Sequence, residues 1–260
     1  MRKPSALYTL GFAAAVCAVC SVLVSVAAVT LRPRQEKNAL LDRRKNVLVA
    51  AGLLETGDEA GRDRIDDLFQ KRIRSRVVRR ESGAAARGVD PIEYDQRRAA
   101  QDPERSSAAP PNPAAIRRVP RVLRFYEVLS EGEVEMYVLP VRGKGLWSTL
   151  YGYLALDRDT STVRGIAFYE HGETPGLGGE IGNPDWQRRW RGREVFDEDW
   201  EPVIRVIKGA AGPPEEDPHS VDGLSGATLT ADGVTALVRF WTGENGFGPF
   251  LGRARGKGDE

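Results

Sequence analysis

Cysteine is scarce in this 260-residue chain: there are two, Cys17 and Cys20, both inside the apolar N-terminal run. The remainder holds no disulfide framework and no thiolate metal site. Cys-x-x-Cys spacing suits a redox or metal pair, but these two sit among Val and Ala with no histidine and no second pair nearby. They read as small apolar residues of a membrane helix. Histidine is equally rare, His171 and His219 lying far apart in sequence, so no metal site is expected. A surplus of one charge is missing too: 38 Lys and Arg stand against 37 Asp and Glu, a formal net charge of +1. That balance offers no electrostatic footprint for nucleic acid. Neither a G-x-G-x-x-G fingerprint nor a P-loop occurs, so no dinucleotide site is expected. There is no internal repeat.

What is present begins with a long uncharged stretch, Pro4 to Leu31, rich in Ala, Val and Leu. About 20 apolar residues cross a bilayer core, so residues 6–31 are expected to form a transmembrane helix after a short N-terminus, 1–5. Ser25-Val26-Ala27 would pass as a signal-peptide cleavage site, but the apolar region of a signal peptide is usually ~7–15 residues. The run therefore reads as an uncleaved anchor. Basic residues flank it on both sides (Arg2 and Lys3, then Arg32, Arg34 and Lys37). Charge bias does not fix orientation when a long domain follows.

Residues 32–81 read as a membrane-proximal helical segment, with helices over 36–56 and about 60–72. Residues 82–120, rich in Ala, Arg, Pro and Ser, read as a connector. The compact part is expected over 121–252, followed by a tail, 253–260. Within it, Val122–Val128, Glu133–Pro140, Leu150–Leu156, Val163–Tyr169 and Pro202–Lys208 have strand character. Asn183–Arg191 and Leu229–Thr242 look helical. Strands in neighbouring pairs with helices inserted later imply an α+β fold with an antiparallel sheet.

Two loops carry chemistry. His171-Gly172-Glu173-Thr174-Pro175-Gly176-Leu177-Gly178-Gly179-Glu180 has four glycines, which permit sharp turns and close approach of backbone to a ligand. Asp222-Gly223-Leu224-Ser225-Gly226-Ala227-Thr228-Leu229-Thr230 leads into a helix, whose N-terminus favours phosphate. On local grounds alone Thr228 reads as an N-cap. Trp147, Tyr151, Tyr153, Phe168 and Tyr169 are aromatic enough to wall a flat ring, or simply to fill a core.

Together these loops resemble the FMN-binding domain family, and within it the branch formed by the C subunits of the sodium-translocating NADH:quinone oxidoreductases. Lys45-Asn46-Val47-Leu48, Glu93-Tyr94-Asp95-Gln96-Arg97, Lys144-Gly145-Leu146-Trp147 and Tyr151-Gly152-Tyr153 extend the likeness along the chain. The resemblance implies FMN joined through a phosphoester to Thr228, supplied from FAD by a flavin transferase. Ser225, Gly226 and Ala227 would shape the phosphate turn, and Asp222 the motif for the transferase. Glu173, Thr174 and Leu177 would border the ring, with Trp147 as a wall. No residue of the chain would itself be catalytic. The resemblance also implies a single-pass member of a membrane complex of six subunits in the bacterial inner membrane, its domain periplasmic. That complex passes electrons from NADH to ubiquinone and exports sodium ions. The residues after the motif, Ala231-Asp232, and the run Pro213–Pro218 depart from the family pattern. Two alternatives remain: the G subunit of an Rnf-type complex, and a non-redox membrane-anchored module that binds an anion reversibly.

Overall fold

The computed structural model describes residues 6–55, 57–58 and 60–256; the expected N-terminus 1–5 and the end of the expected tail lie outside them. Helix α1 runs Ala6–Ala50. Its stretch Leu10–Arg32 has a mean hydropathy of 2.6 and is long and apolar enough to cross a membrane. Leu23, Val24 and Val29 are all exposed on it, as are Cys17 and Cys20. A lipid core is the medium in which such a surface is stable. Residues up to Arg43 form one unit and those from Arg44 a second.

The second unit starts with the last turns of α1, so the helix expected over 36–56 is the end of α1 and not a separate element. It stops at Ala50 because Gly52 takes a left-handed φ of 69° and the Leu53 N–H turns back to the Leu48 carbonyl. Val47, Leu48 and Leu54 are buried there. Helix α2 (Arg62–Arg72) follows. The next segment corrects the sequence reading: Ile73–Arg79, assigned to a helical region, is strand β1. It pairs antiparallel with β4 (Val122–Ser130).

The main sheet has five strands in the order β1-β4-β5-β6-β7, with β5 Glu133–Lys144, β6 Thr149–Asp157 and β7 Val163–Glu170. Every neighbouring pair is antiparallel, as expected for the α+β class. The strand expected at 202–208 is reduced to β8, Arg205–Val206, and pairs in parallel with β9, Ser220–Val221, outside the main sheet. Because neighbouring strands alternate in direction, the 145–148 turn and the end of β7 emerge at one end of the sheet. The turns at Glu131-Gly132 and 158–162 emerge at the other.

The connector is ordered and belongs to the same unit as the sheet. It contains α3 (Gln96–Gln101) and a two-stranded ribbon, β2 (Ser106–Ala108) and β3 (Arg118–Pro120). Glu93–Arg97 fastens it. Tyr94 is buried and its hydroxyl donates to the Val122 carbonyl at 2.7 Å; burial pushes that hydroxyl up to about 12. Asp95 caps α3, accepting from the Arg97 and Arg98 N–H groups. The Arg97 guanidinium lies 3.6 Å from the centre of the Tyr151 ring.

Short α4 (Pro184–Arg188) follows β7. Helix α5 (Thr228–Thr242) buries Val234, Leu237, Val238 and Trp241 in the core, and α6 (Gly248–Arg255) occupies part of the expected tail. Gly233 lets α5 approach the end of β5: a Cβ there would fall on the Lys144 carbonyl oxygen. Alanine would gain ~1 kcal/mol in helix propensity, but overpacking against backbone costs about 1–3 kcal/mol. Gly233→Ala is therefore expected to lower the urea midpoint; an unchanged or raised midpoint would refute the close approach.

Candidate functional site

Three loops meet at the end of the sheet where β5 turns into β6. The joint is Glu173, which is 5% exposed. Its Oε1 accepts from the Trp147 N–H at 3.0 Å, the Ser148 N–H at 3.1 Å and the Ser148 hydroxyl at 3.4 Å. Oε2 accepts from the Leu146 N–H at 3.2 Å and the Thr230 hydroxyl at 2.6 Å. One carboxylate thus ties the 145–148 turn, the glycine loop and the first turn of α5 together. Burial works against its charge, but the Thr230 hydroxyl and the three N–H donors outweigh it and hold the carboxyl below its ordinary value. Both oxygens are engaged by protein donors, so the Glu173 carboxylate serves as a joint between the loops.

The glycines around it are there for closeness. A Cβ on Gly178 would meet the Thr230 hydroxyl, and one on Gly145 would meet the Glu173 carboxylate. The Thr174 carbonyl accepts from the Leu177 N–H at 3.1 Å and the Gly179 N–H at 2.9 Å, folding the glycine loop into a turn with Thr174 itself exposed. Ser148 closes the third side, its Oγ accepting from the Gly172 N–H at 2.7 Å.

The motif strand enters α5 differently from the local expectation. Ala227, not Thr228, is the N-cap, and no side chain caps this helix. By contrast, α3 and α4 are capped by Asp95 and Asn183. Thr228 is the first helical residue and is exposed, as are Ser225 and Gly226, while Ala227 is buried. Gly226 has a φ of 66°, and a Cβ on it would lie 3.1 Å from a Leu177 methyl group, so the two loops also pack together here. No acidic residue occupies the first turn of α5. The helix end therefore presents unpaired N–H groups and partial positive charge beside an exposed hydroxyl.

Asp222 stands at the far end of the motif. Its side chain accepts from the Ala211 N–H at 3.1 Å and pairs with Arg189, and its carbonyl accepts from the Trp186 indole at 2.9 Å. Those bonds fix where the motif starts.

Apolar exposure marks the same place. Beyond Arg43, five large apolar side chains are exposed among the described residues: Ile92, Leu146, Trp147, Leu177 and Leu229. Four of the five lie on these loops, Trp147 at 66% and Leu229 at 61% exposure. Leu146, Leu229, Ser148 and Thr230 were absent from the expected site residues. Leu229 carried a signal, being apolar yet out of phase with the Val234, Leu237, Val238 and Trp241 stripe. Among the described residues no group of three or more metal-ligating side chains is present.

Residues 145–243 match the family model of the FMN-binding domain. The chain is 46% identical to the C subunit of the Na(+)-translocating NADH-quinone reductase of Pseudomonas aeruginosa over 257 residues, 98% of each chain. It is 46% identical to the protein of the same name from Yersinia pestis over 242 residues, 92% of this chain and 89% of that one. The crystal structure of Shewanella oneidensis NqrC aligns with a TM-score of 0.76 at 34% identity, covering 84% of this chain and 99% of that one.

Proposed function

We propose, from the premise that this chain belongs to the family of C subunits of the Na(+)-translocating NADH-quinone reductases, that it relays electrons through an FMN esterified to Thr228. The observation that carries the reading is the exposed Thr228 hydroxyl on the first turn of an uncapped helix. A phosphate there is compensated by the helix end and its free N–H groups.

The residues present fit the group. Gly226 leaves room beside the phosphate turn, with Ser225 exposed next to it and Ala227 buried beneath. Trp147 and Leu177, with Leu146 and Leu229, offer the apolar surface that a flat ring needs. Thr174 borders it, and Glu173 holds the loops in register from below. Asp222, fixed by Arg189, sets the start of the motif for a flavin transferase. Bound FMN would supply the redox chemistry, and this chain would position it.

In this reading Leu10–Arg32 anchors the chain in the bacterial inner membrane, residues 1–5 are cytoplasmic and the domain is periplasmic. Its partners are the other members of a complex of six subunits, and the electrons reach ubiquinone in a reaction coupled to sodium export. Mass spectrometry of the peptide containing Thr228, from protein made with the transferase, tests the attachment. The added mass of an FMN ester on Thr228 is the expected result; an unmodified peptide would sink the assignment.

Leu177→Asp tests the ring's place. A new negative charge beside the ring disfavours the electron-rich form. The midpoint potential is expected to fall by about 30 mV, roughly 1.4 kcal/mol for a two-electron couple. An unchanged potential in a redox titration would remove Leu177 from the site.

A further inference from the structure

A concavity of about 660 Å³ opens beside the start of the 145–148 turn. Its walls are the 114–118 loop, the end of α3 and the facing ends of β5 and β6. Arg117, Arg118, Arg142 and Lys144 all line it, and no carboxylate does. The neutral lining includes Gln101 and the exposed Thr149.

Hydrogen bonds orient three of these four cations without neutralising them. Arg118 donates to the Ser106 hydroxyl at 2.8 Å and to the Ser106 carbonyl at 3.1 Å. Arg142 donates to the Arg118 carbonyl at 3.0 Å, and Lys144 to the Trp147 carbonyl at 3.2 Å. Arg117 is exposed. None of the four forms an ion pair among the described residues, whereas nearby Arg97 pairs with Glu170 at 2.8 Å and Arg98 with Asp95. Burial pushes the Arg142 guanidinium down from its ordinary value; the Tyr151 side chain beside it works the other way without reversing the shift, and the like charge of Arg97 adds to the fall. Like charges gathered around one concavity repel, and an anion placed among them reverses the sign of the interaction.

The wall is also held in place. The Asn112 side chain brackets Ile116, accepting from its N–H at 3.0 Å and donating to its carbonyl at 2.9 Å, and the Lys144 N–H donates to the Ala114 carbonyl at 2.9 Å.

We infer that this cavity is a binding site for a small phosphate-bearing polyanion, held by Arg117, Arg142 and Lys144 with Thr149 as a neutral donor. A single carboxylate would offset one of four charges, whereas phosphate groups carry several and match the arginine fork. A cavity of this volume suits a small molecule. The inference is independent of the flavin at Thr228.

Calorimetric titration of the full-length flavinylated protein, in neutral detergent, with inorganic pyrophosphate tests it. One saturable, salt-sensitive site per chain is expected. Arg117→Glu is expected to weaken it at least tenfold with an unchanged melting temperature, because the Arg117 side chain is exposed and holds no other element in place. Arg158→Glu, outside the cavity, is expected to leave it unchanged. Competition by cardiolipin nanodiscs, whose headgroup carries two phosphates, but not by phosphatidylcholine nanodiscs would make a lipid headgroup the phosphate source; no competition by either would make it a soluble ligand, and both support the site. Absence of saturable binding, equal loss in both variants, or binding of a polyglutamate peptide in place of pyrophosphate would overturn it.

Discussion

Thr228→Ala protein, made in a host that has the flavin transferase, is expected to show no fluorescent band on a denaturing gel under ultraviolet light. The hydroxyl proposed to carry the ester is gone and no neighbouring group replaces it: Ser225 lies before the left-handed Gly226, and the Thr230 hydroxyl is committed to Glu173 at 2.6 Å. The fold is expected to survive. Thr228 is exposed and does not cap α5, so the change in unfolding free energy should stay within about 0.5 kcal/mol, the range for surface substitutions. A variant that still fluoresces would place the flavin elsewhere. A variant that loses more than about 2 kcal/mol in urea unfolding would show that Thr228 supports the fold in a way the geometry does not provide for.

Glu173→Ala is expected to have the largest effect on stability in the site. It strands the Leu146, Trp147 and Ser148 N–H groups and the Thr230 hydroxyl. A buried donor without a partner costs about 1–3 kcal/mol, and water reaching the exposed turn offsets part of that, so a net loss of about 3 kcal/mol is expected. Glu173→Gln keeps the shape but turns an NH2 group toward donors, and should lose about 2 kcal/mol.

The effect has a pH signature. Burial opposes ionisation of Glu173, but the Thr230 hydroxyl and the backbone donors hold its folded pKa below the ordinary carboxylate value. The folded state therefore binds this proton less readily than the unfolded one. Its contribution is complete above the ordinary carboxylate range and is lost as pH falls through the lowered folded value. The stability gap between the parent and Glu173→Gln, measured by urea unfolding, should be largest near neutral pH and narrow on acidification. A gap that stays constant down to about pH 3 would show that the carboxylate charge is not what joins the loops.

Much of this was legible in the sequence, and the exceptions have physical causes. Helix α5 could be read because Val234, Leu237, Val238 and Trp241 recur at helical spacing on a core face. Its start could not be read to the residue, because Ser and Thr are the usual caps and here Ala227 takes that place. Strand β1 escaped because Arg74, Ser75 and Arg76 interrupt its apolar pattern at a sheet edge, where solvent accepts them. The connector reads as loose from its Pro, Arg and Ala content, yet a few specific bonds from Tyr94, Gln96 and Arg97 dock it, and Asp95 caps its helix. Gln96, for one, accepts from the Arg124 N–H at 2.7 Å.

Within the site, Thr228, Gly226 and Leu177 stood out as motif residues, and the structure brings their two loops together. The role of Glu173 as a joint was not readable. Three of its partners are backbone N–H groups of the 145–148 turn, and a backbone donor leaves no mark in the choice of side chain.

The alternation of strand direction has a practical consequence for anyone who wants to watch this protein at work. Glu131-Gly132, with left-handed φ values of 52° and 89°, and the turn after Asp157 lie at the end of the sheet remote from Glu173 and Thr228. A reporter dye or epitope placed at the exposed Glu131 or Arg158 sits a full strand length from the site. An uncharged label at Trp147 or Leu177 would be part of what it was meant to observe.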